Sequence, residues 1–185
     1  MPPSVVGKDW DRDERIALTG PVAGGLHLPA PESLRDTARA MSQENVKAFK
    51  RGLEAGNRGD VETLLQELDP AVEWHSALHA LLGGEQTVFR GHDGVREMLR
   101  DLYEAFDEIH FEISEIRDLG DRLVAIGRTR NRGRASGVET DTPLALVTEI
   151  RNGKTISIQA YLDPKQALEA VGLSEQDARW KSSPS

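Results

Sequence analysis

The chain has 185 residues and a formal net charge of −8, a length that fits one domain with a tail. The acidic balance argues against a nucleic-acid surface, and the lack of cysteine excludes a disulfide framework, a thiol nucleophile and a cysteine-ligated zinc. No apolar run approaches the roughly 18 residues of a membrane-spanning helix, and no signal-peptide pattern opens the chain. We therefore expect a cytoplasmic protein with no nucleic-acid or membrane partner.

Residues 1–40 differ in composition from the rest of the chain. Their apolar residues show no sustained period, and five of the nine prolines fall here. This pattern is typical of an extended or disordered tail, with a short helical piece near Ser33–Ala40. We predict a Pro/Gly-rich tail over 1–40, a domain over 41–174 and a loose C-terminal tail over 175–185.

The first half of the domain predicts three helices and one strand. Ser42 is a good N-cap for a helix with one apolar face. Asp60 and Asp93 are candidate caps for the next two helices. Between those two helices, Ala71–Ser76 is typical of a short strand, and residues 77–90 are expected to form a loop.

The second half predicts an antiparallel meander and a short closing helix. Ile109–Ile116 alternates in hydrophobicity, as a half-buried strand does. Three further strands are predicted within Asp121–Pro164. The last two are joined at Asn152-Gly153, a dipeptide that favours a type I′ turn. Asp163 is then the expected cap of the last helix, and the fold class is α+β.

Five segments of the domain resemble parts of one known family. The segments are Glu54–His75, Gly91–Leu102, Arg132–Glu139, Leu144–Gly153 and Tyr161–Gly172. Together they resemble the SnoaL-like branch of the NTF2-like superfamily over roughly residues 42–174. The resemblance implies an α+β cone, in which a curved antiparallel (mixed) sheet wraps around about three N-terminal helices and a short C-terminal helix follows.

The same resemblance implies a pocket in the cone and, as a rule, a homodimer. Relatives include polyketide cyclases, ketosteroid isomerases, epoxide hydrolases and dehydratases, and others only bind ligands or partners. We expect a small-molecule-binding protein or a cofactor-free acid/base enzyme of the cyclase, isomerase or hydratase type, acting on a small apolar molecule. The alternative is a non-catalytic ligand-binding or dimeric interaction module.

Three residues are candidates for proton transfer. The polyketide cyclases that the chain resembles use an aspartate at the end of the last strand as general acid/base, and Asp163 stands at the matching place. Asp163 is also explained by local sequence as a helix cap, so both interpretations stay open. His75 is a candidate base because histidine titrates near neutral pH. Glu149 interrupts an apolar strand, where a carboxylate needs a partner or can serve as an acid.

Two other kinds of site are not expected. The spacing His75-x₃-His79 suits a metal only on a helix, and this segment predicts a strand that leads into a loop. The base of the ketosteroid isomerases is absent, because Trp74 follows the Val72-Glu73 pair where those enzymes carry an aspartate. Gly52 stands near the position of their oxyanion tyrosine. We therefore expect no metal and no cofactor.

The candidates for binding a ligand are aromatic or polar residues near these positions. They are Trp74, Tyr103, Phe106, Arg128, Arg130, Gln159 and Tyr161. In the last strand, Gln159 and Tyr161 share one face with Asp163, while Ile158 and Ala160 share the other. Either face could line the cone.

Arginines alternate along one predicted strand. They are Arg128, Arg130, Arg132 and Arg134. Arg128 and Arg130, nearer the apolar part, are candidates for polarising a ligand oxygen. The alternative is a set of cross-strand ion pairs, in which the hairpin sets Arg134 opposite Glu139 and Arg132 opposite Asp141.

Overall fold

The structure is a computed structural model that describes residues 32–81 and 87–174. Most of the predicted N-terminal tail, residues 1–31, and the C-terminal tail lie outside the described residues. Within the described ranges, no helix has both the length and the hydropathy needed to cross a membrane. The described part of the chain is a mixed α+β fold with an open, curved six-stranded sheet.

Five helices are described. They are α1 (Glu32–Asn57), α2 (Val61–Gln66), α3 (Leu78–Leu81), α4 (Gly91–Ala105) and α5 (Pro164–Ala170). The prediction that the first long helix starts at Ser42 is wrong, because α1 begins ten residues earlier and Ser42 lies inside it. Residues 32–40 are exposed along their whole length. Helix propensity, rather than an apolar face, extends α1 through them.

Six strands form the sheet. They are β1 (Leu68–Ser76), β2 (Thr87–Arg90), β3 (Phe106–Asp118), β4 (Arg122–Gly133), β5 (Glu139–Arg151) and β6 (Lys154–Tyr161). Their order across the sheet is β2-β1-β6-β5-β4-β3, and β1 runs parallel to β6 while the other neighbours are antiparallel. The predicted loop over 77–90 is wrong in part, because it contains α3 and β2. Strand β2 forms because Thr87–Arg90 pairs with the end of β1.

The predicted turn at Asn152-Gly153 and two of the three predicted aspartate caps are present in the structure. Asn152 has φ 52° and Gly153 has φ 73°, as a type I′ turn requires. The Asp163 carboxylate accepts a hydrogen bond from the Lys165 amide at 2.9 Å and caps α5. Asp60 caps α2 in the same way. Asp93 does not cap α4, because that helix begins at Gly91.

The sheet buries apolar residues on both faces. Its concave face packs against α1, α2 and α4 around a core that includes Val72, Met98 and Leu144. On the outer face a second cluster joins Val124, Ala145 and Val147 to Ala167 and Leu168 of α5. This second apolar face is therefore covered by α5 of the same chain.

Gly127 allows β3 and β4 to approach closely. The register of the pair shifts between Ile113 and Glu115, which leaves Ser114 as an extra residue in β3. The Ser114 hydroxyl donates to the Ile126 carbonyl at 3.0 Å. A Cβ on Gly127 would overlap the Glu112 carbonyl oxygen, so this bulge requires glycine.

The last residue of α1 is tied to β3 by a paired hydrogen bond. Asn57 donates from Nδ2 to the Phe111 carbonyl oxygen at 2.8 Å, and its Oδ1 accepts from the Phe111 amide at 2.8 Å. Because β3 is the last strand in the sheet order, this contact fixes α1 across the concave face at that side.

Candidate functional site

An apolar cavity of about 70 Å³ lies between the concave face of the sheet and helices α1, α2 and α4. Most of its wall is aliphatic or aromatic. These wall residues include Phe49, Leu53, Leu64, Met98, Leu99, Leu102, Phe111, Leu144, Leu146 and Ile158. A wall of this composition favours an uncharged, apolar occupant.

Small side chains provide the space in the cavity. Ala48, Gly52 and Gly56 recur every four residues along α1 and all line the wall. On the sheet side, Ala160 of β6 lines it as well. Since residues at this spacing share one helix face, a stripe without bulky side chains faces the sheet.

The wall also contains a paired carboxylate. Glu67 lines the cavity, and its two oxygens accept from Arg51 Nε at 2.9 Å and Nη2 at 3.1 Å. These hydrogen bonds, with a further one from Arg51 to Glu44, raise the pKa of Arg51 above its usual range. Both oxygens of Glu67 are therefore already engaged.

Ser76, at the end of β1, places a hydroxyl in the cavity wall. It is 2% exposed, and its Oγ lies 3.0 Å from Nδ1 of His79 in α3. The His79 ring packs against Phe89, with 4.7 Å between ring centroids. Its Nε2 lies 3.8 Å from Oδ2 of Asp101 in α4. His79 is thus in contact with Ser76, whereas its buried Nε2 has no hydrogen-bond partner among the described residues and faces the Asp101 carboxylate beyond hydrogen-bond distance.

The protonation of His79 follows from this position. Burial lowers the pKa of the imidazole, and the nearby Asp101 carboxylate opposes that shift without cancelling it. The ring is therefore neutral at pH 7, and one of its nitrogens can accept a proton. The sequence suggested His79 only as a metal ligand. Its contact with Ser76 could not be predicted, because it depends on the short helix α3.

The three predicted proton-transfer residues do not line the cavity. Asp163 is exposed and caps α5, and Glu149 is exposed on β5, opposite Arg122 in the register. His75 lies on the strand face opposite Trp74, with its Nε2 3.9 Å from Oε2 of Glu73. Their roles in proton transfer stay predictions.

Among the predicted ligand-binding aromatic residues, Trp74 lies in the cavity wall. Tyr103 and Phe106 pack against the core beside the cavity. The Tyr103 hydroxyl donates to the Gly56 carbonyl at 3.3 Å, and burial raises its pKa. Tyr161 packs against α5 on the outer face, where burial also raises its pKa.

The structure decides which face of β6 lines the cone. Ile158 and Ala160 face the cavity, so Gln159 and Tyr161 lie on the outer side of the sheet. Gln159 neighbours His75 in the parallel register of β1 and β6. The predicted polar face of the last strand is therefore separated from the cavity by the sheet itself.

The strand arginines make ion pairs on the outer face. Arg128 Nε lies 2.5 Å from Asp141 Oδ1, and Arg130 Nη2 lies 3.1 Å from Glu112 Oε2. Two predicted partners are wrong: Arg132 pairs with Glu108 and Arg134 with Asp107. The reason is the register, which sets Arg130 rather than Arg132 opposite Asp141 and brings the acids of β3 within reach.

No cluster of three or more potential metal-binding side chains occurs in residues 32–81 and 87–174. His75 belongs to β1 and points to the outer face, whereas His79 belongs to α3 and contacts Ser76. The two histidine side chains therefore do not face a common site. The metal hypothesis that their spacing raised has no geometric support in this part of the chain.

Comparison with known proteins identifies a family and a fold. The family model of the SnoaL-like domain matches residues 49–158. The structure is similar to an NTF2-like protein of unknown function from Burkholderia pseudomallei, at 22% identity and a TM-score of 0.59, covering 70% of this chain and 98% of that one. A comparison with functionally curated proteins finds no match.

Two further solved structures are similar over most of their length. TerC, crystallised with polyporic acid, shares 21% identity with a TM-score of 0.59, over 68% of this chain and 96% of TerC. A protein with a ketosteroid isomerase-like fold from Catenulispora acidiphila, in complex with trimethylamine, shares 14% identity with a TM-score of 0.56, over 70% and 95% of the two chains. At these identities the likeness shows the fold alone.

Proposed function

Because the chain belongs to the SnoaL-like domain family, we propose that it binds a small apolar molecule in the cavity under the concave face of the sheet. The observation that carries this proposal is the cavity itself, which is walled by aliphatic and aromatic side chains and by a few polar groups. The complex of TerC with polyporic acid supports ligand binding in a similar fold.

The size of the cavity limits its occupant. Its volume of about 70 Å³ is roughly half of the 150 Å³ at which an engineered apolar cavity holds benzene. The space fits a short aliphatic group as it stands. A larger ligand needs wall side chains to move, and Met98 is the most adaptable of them because methionine is flexible.

Two functional classes fit the fold, and the cavity favours one of them. A non-catalytic interaction module needs no internal space, so its core would be filled by side chains. Here Gly52 and Gly56 leave space where side chains would close the wall. Ligand binding, with or without cofactor-free acid/base chemistry of the cyclase, isomerase or hydratase type, is therefore the function that we propose.

A cavity-filling variant tests the binding. Thermal unfolding of the wild-type protein with 1-hexanol should show a higher melting temperature, because a ligand that binds only the native state stabilises it. Benzene should give a smaller shift, because its ring needs more than the space of about 70 Å³. Gly52→Leu should lose this shift. A Cβ at Gly52 lies 3.4 Å from Leu64 Cδ1, an ordinary contact, so the backbone of α1 tolerates the change.

Ala38→Leu is the matched control, since it adds a leucine to an exposed position of the same helix. It should keep the wild-type response to both probes. If neither probe raises the melting temperature of the wild-type protein, or if Gly52→Leu responds as the wild type does, binding in this cavity is contradicted.

A further inference from the structure

Ser76, His79 and Asp101 bring together a hydroxyl, an imidazole and a carboxylate from β1, α3 and α4. The hydroxyl oxygen lies 3.0 Å from Nδ1, and Nε2 lies 3.8 Å from the carboxylate. The Ser76 side chain is in the wall of the cavity, and the His79 side chain is 12% exposed. A nucleophile, a base and a group that orients the base occur here in the order that hydroxyl activation needs.

The carboxylate determines which ring nitrogen carries the proton. Asp101 faces Nε2, and a carboxylate stabilises the tautomer in which the nitrogen facing it is protonated. Nδ1 is then the acceptor, so the Ser76 hydroxyl donates its proton toward His79. The lone pairs of the Ser76 oxygen are left for an occupant of the cavity. At 3.8 Å Asp101 acts through its charge, and its other oxygen accepts from Arg100 at 3.0 Å.

We propose that Ser76 is a nucleophile that accepts the acyl group of short, apolar esters, with His79 as its general base and Asp101 as a positioning residue. The proposal rests on the proposed function, since the acyl chain has to enter the same cavity. His79 fits the role of base because it is neutral at pH 7 and touches the hydroxyl directly.

The reaction balances with water as its second substrate. The Ser76 oxygen bonds to the ester carbonyl carbon while its proton moves to Nδ1 of His79. The carbon–oxygen bond to the alcohol then breaks, and the alcohol leaves with that proton. Water then gives a proton to His79 and attacks the acyl carbon. The bond from that carbon to the Ser76 oxygen breaks, the carboxylic acid leaves, and the proton on His79 returns to the Ser76 oxygen.

The wall defines the class of acyl group. Met98, Leu146 and Ile158 offer apolar contact, and the space of about 70 Å³ suits a chain of a few carbons. Glu67 in the wall is already paired with Arg51, so its charge is not free to attract a cationic ligand. We therefore expect acetyl and butyryl esters to react faster than octanoyl esters.

The direct test is intact-mass and peptide-mapping mass spectrometry after incubation with the p-nitrophenyl esters of acetate, butyrate and octanoate. The expected result is one acetyl or butyryl group per chain on Ser76, with an initial burst of nitrophenol. Ser76→Ala should lose that label and burst. His79→Gln, which keeps a polar side chain of similar reach but cannot serve as the base, should slow acylation by at least about a hundredfold.

Ser157→Ala is the matched control, because Ser157 lies on neighbouring β6 and does not line the cavity. It should be acylated as the wild type is. The rate of acylation should rise with pH as His79 loses its proton and be level by neutral pH. Asp101→Asn removes the charge that raises the pKa of His79, so the rise should move to lower pH with a lower plateau.

Two results would overturn the proposal. One is an unlabelled Ser76 in a protein that still responds to 1-hexanol, which leaves ligand binding intact and reduces the Ser76–His79 contact to a local structural bond. The other is labelling that remains in Ser76→Ala, because the acyl group then lies on another residue. A wild-type protein that neither responds to the apolar probes nor becomes labelled would contradict the proposed function as well.

Discussion

At the scale of the residue, Asp163 illustrates how local hydrogen bonding can explain a carboxylate at a position that suggests catalysis. Its side chain accepts from the Lys165 amide at 2.9 Å and is exposed to solvent. Replacing Asp163 by alanine should lower the free energy of unfolding by about 1 kcal/mol, the usual effect of losing a helix cap. Urea denaturation measures this loss.

Asp163→Asn is the control, because asparagine also caps helices and should cost less. Neither substitution should change the melting-temperature shift that 1-hexanol gives. An Asp163→Ala variant with unchanged stability and a lost response to 1-hexanol would instead show that this carboxylate takes part in ligand binding and is not needed as a cap.

Asp60 couples the stability of the fold to pH. The Thr63 side chain and amide donate to its carboxylate and hold its pKa below the ordinary value of 3.8. A depressed pKa in the folded state means that the stabilisation is complete above pH 3.8 and is lost as pH falls through the lower value. Asp60→Asn keeps an acceptor for Thr63 but does not titrate.

The wild-type protein should therefore lose stability relative to Asp60→Asn below pH 3.8, as seen in denaturation curves at several pH values. Above that pH the wild type should be the more stable of the two, since a charged cap makes the stronger hydrogen bond. A difference that does not change with pH would show that the Thr63 contact does not favour the charged form.

At the scale of the element, Gly127 sets how closely β3 and β4 can pack. Gly127→Ala places a methyl group against the Glu112 carbonyl, so the two strands must separate. We expect a loss of about 3 kcal/mol in the free energy of unfolding, at the upper end of the cost of overpacking. Chemical denaturation measures it.

Gly133→Ala on the same strand is the matched control. There the added methyl group meets the Ser136 hydroxyl, which is the end of a small side chain and can rotate away with the loss of the one hydrogen bond that it accepts from the Val138 amide. Its cost should be much smaller. Equal losses for the two variants would mean that the close approach at the Ser114 bulge is not what makes Gly127 necessary.

The elements that could be predicted from sequence are those with local signals. The Asn152-Gly153 turn and the caps at Asp60 and Asp163 depend on nearby backbone, and the sequence shows that chemistry directly. Strand β2 has only four residues, and it exists through pairing with β1. The helical piece predicted near Ser33–Ala40 is confirmed as the first turns of α1. These turns face solvent, so no apolar period joins them in sequence to the helix after Ser42.

The candidate site was harder to predict because it depends on packing between elements. Which face of β6 lines the cavity is decided by α5, which covers the other face. Ser76 meets His79 only because α3 begins directly after β1, and Asp101 joins them only because α4 crosses that end of the strand. Sequence spacing shows none of these approaches.

At the scale of the whole molecule, we expect a homodimer on the strength of the family resemblance. The apolar cluster under α5 is not available for that contact, since Val147 and its neighbours are already packed against Leu168. Sedimentation velocity at micromolar concentration should give twice the chain mass of 20.4 kDa. A single species at the mass of one chain would contradict the expectation.

The paired hydrogen bond of Asn57 bears on the solubility of the molecule. A strand at the border of a sheet offers free amides and carbonyls to a strand of another molecule, and such pairing starts aggregation. Asn57 occupies both groups of Phe111, whereas Glu112 and Glu115 nearby are each paired with an arginine. Asn57→Leu should therefore lower the concentration at which light scattering first detects aggregates, and an unchanged onset would show that this contact does not limit aggregation.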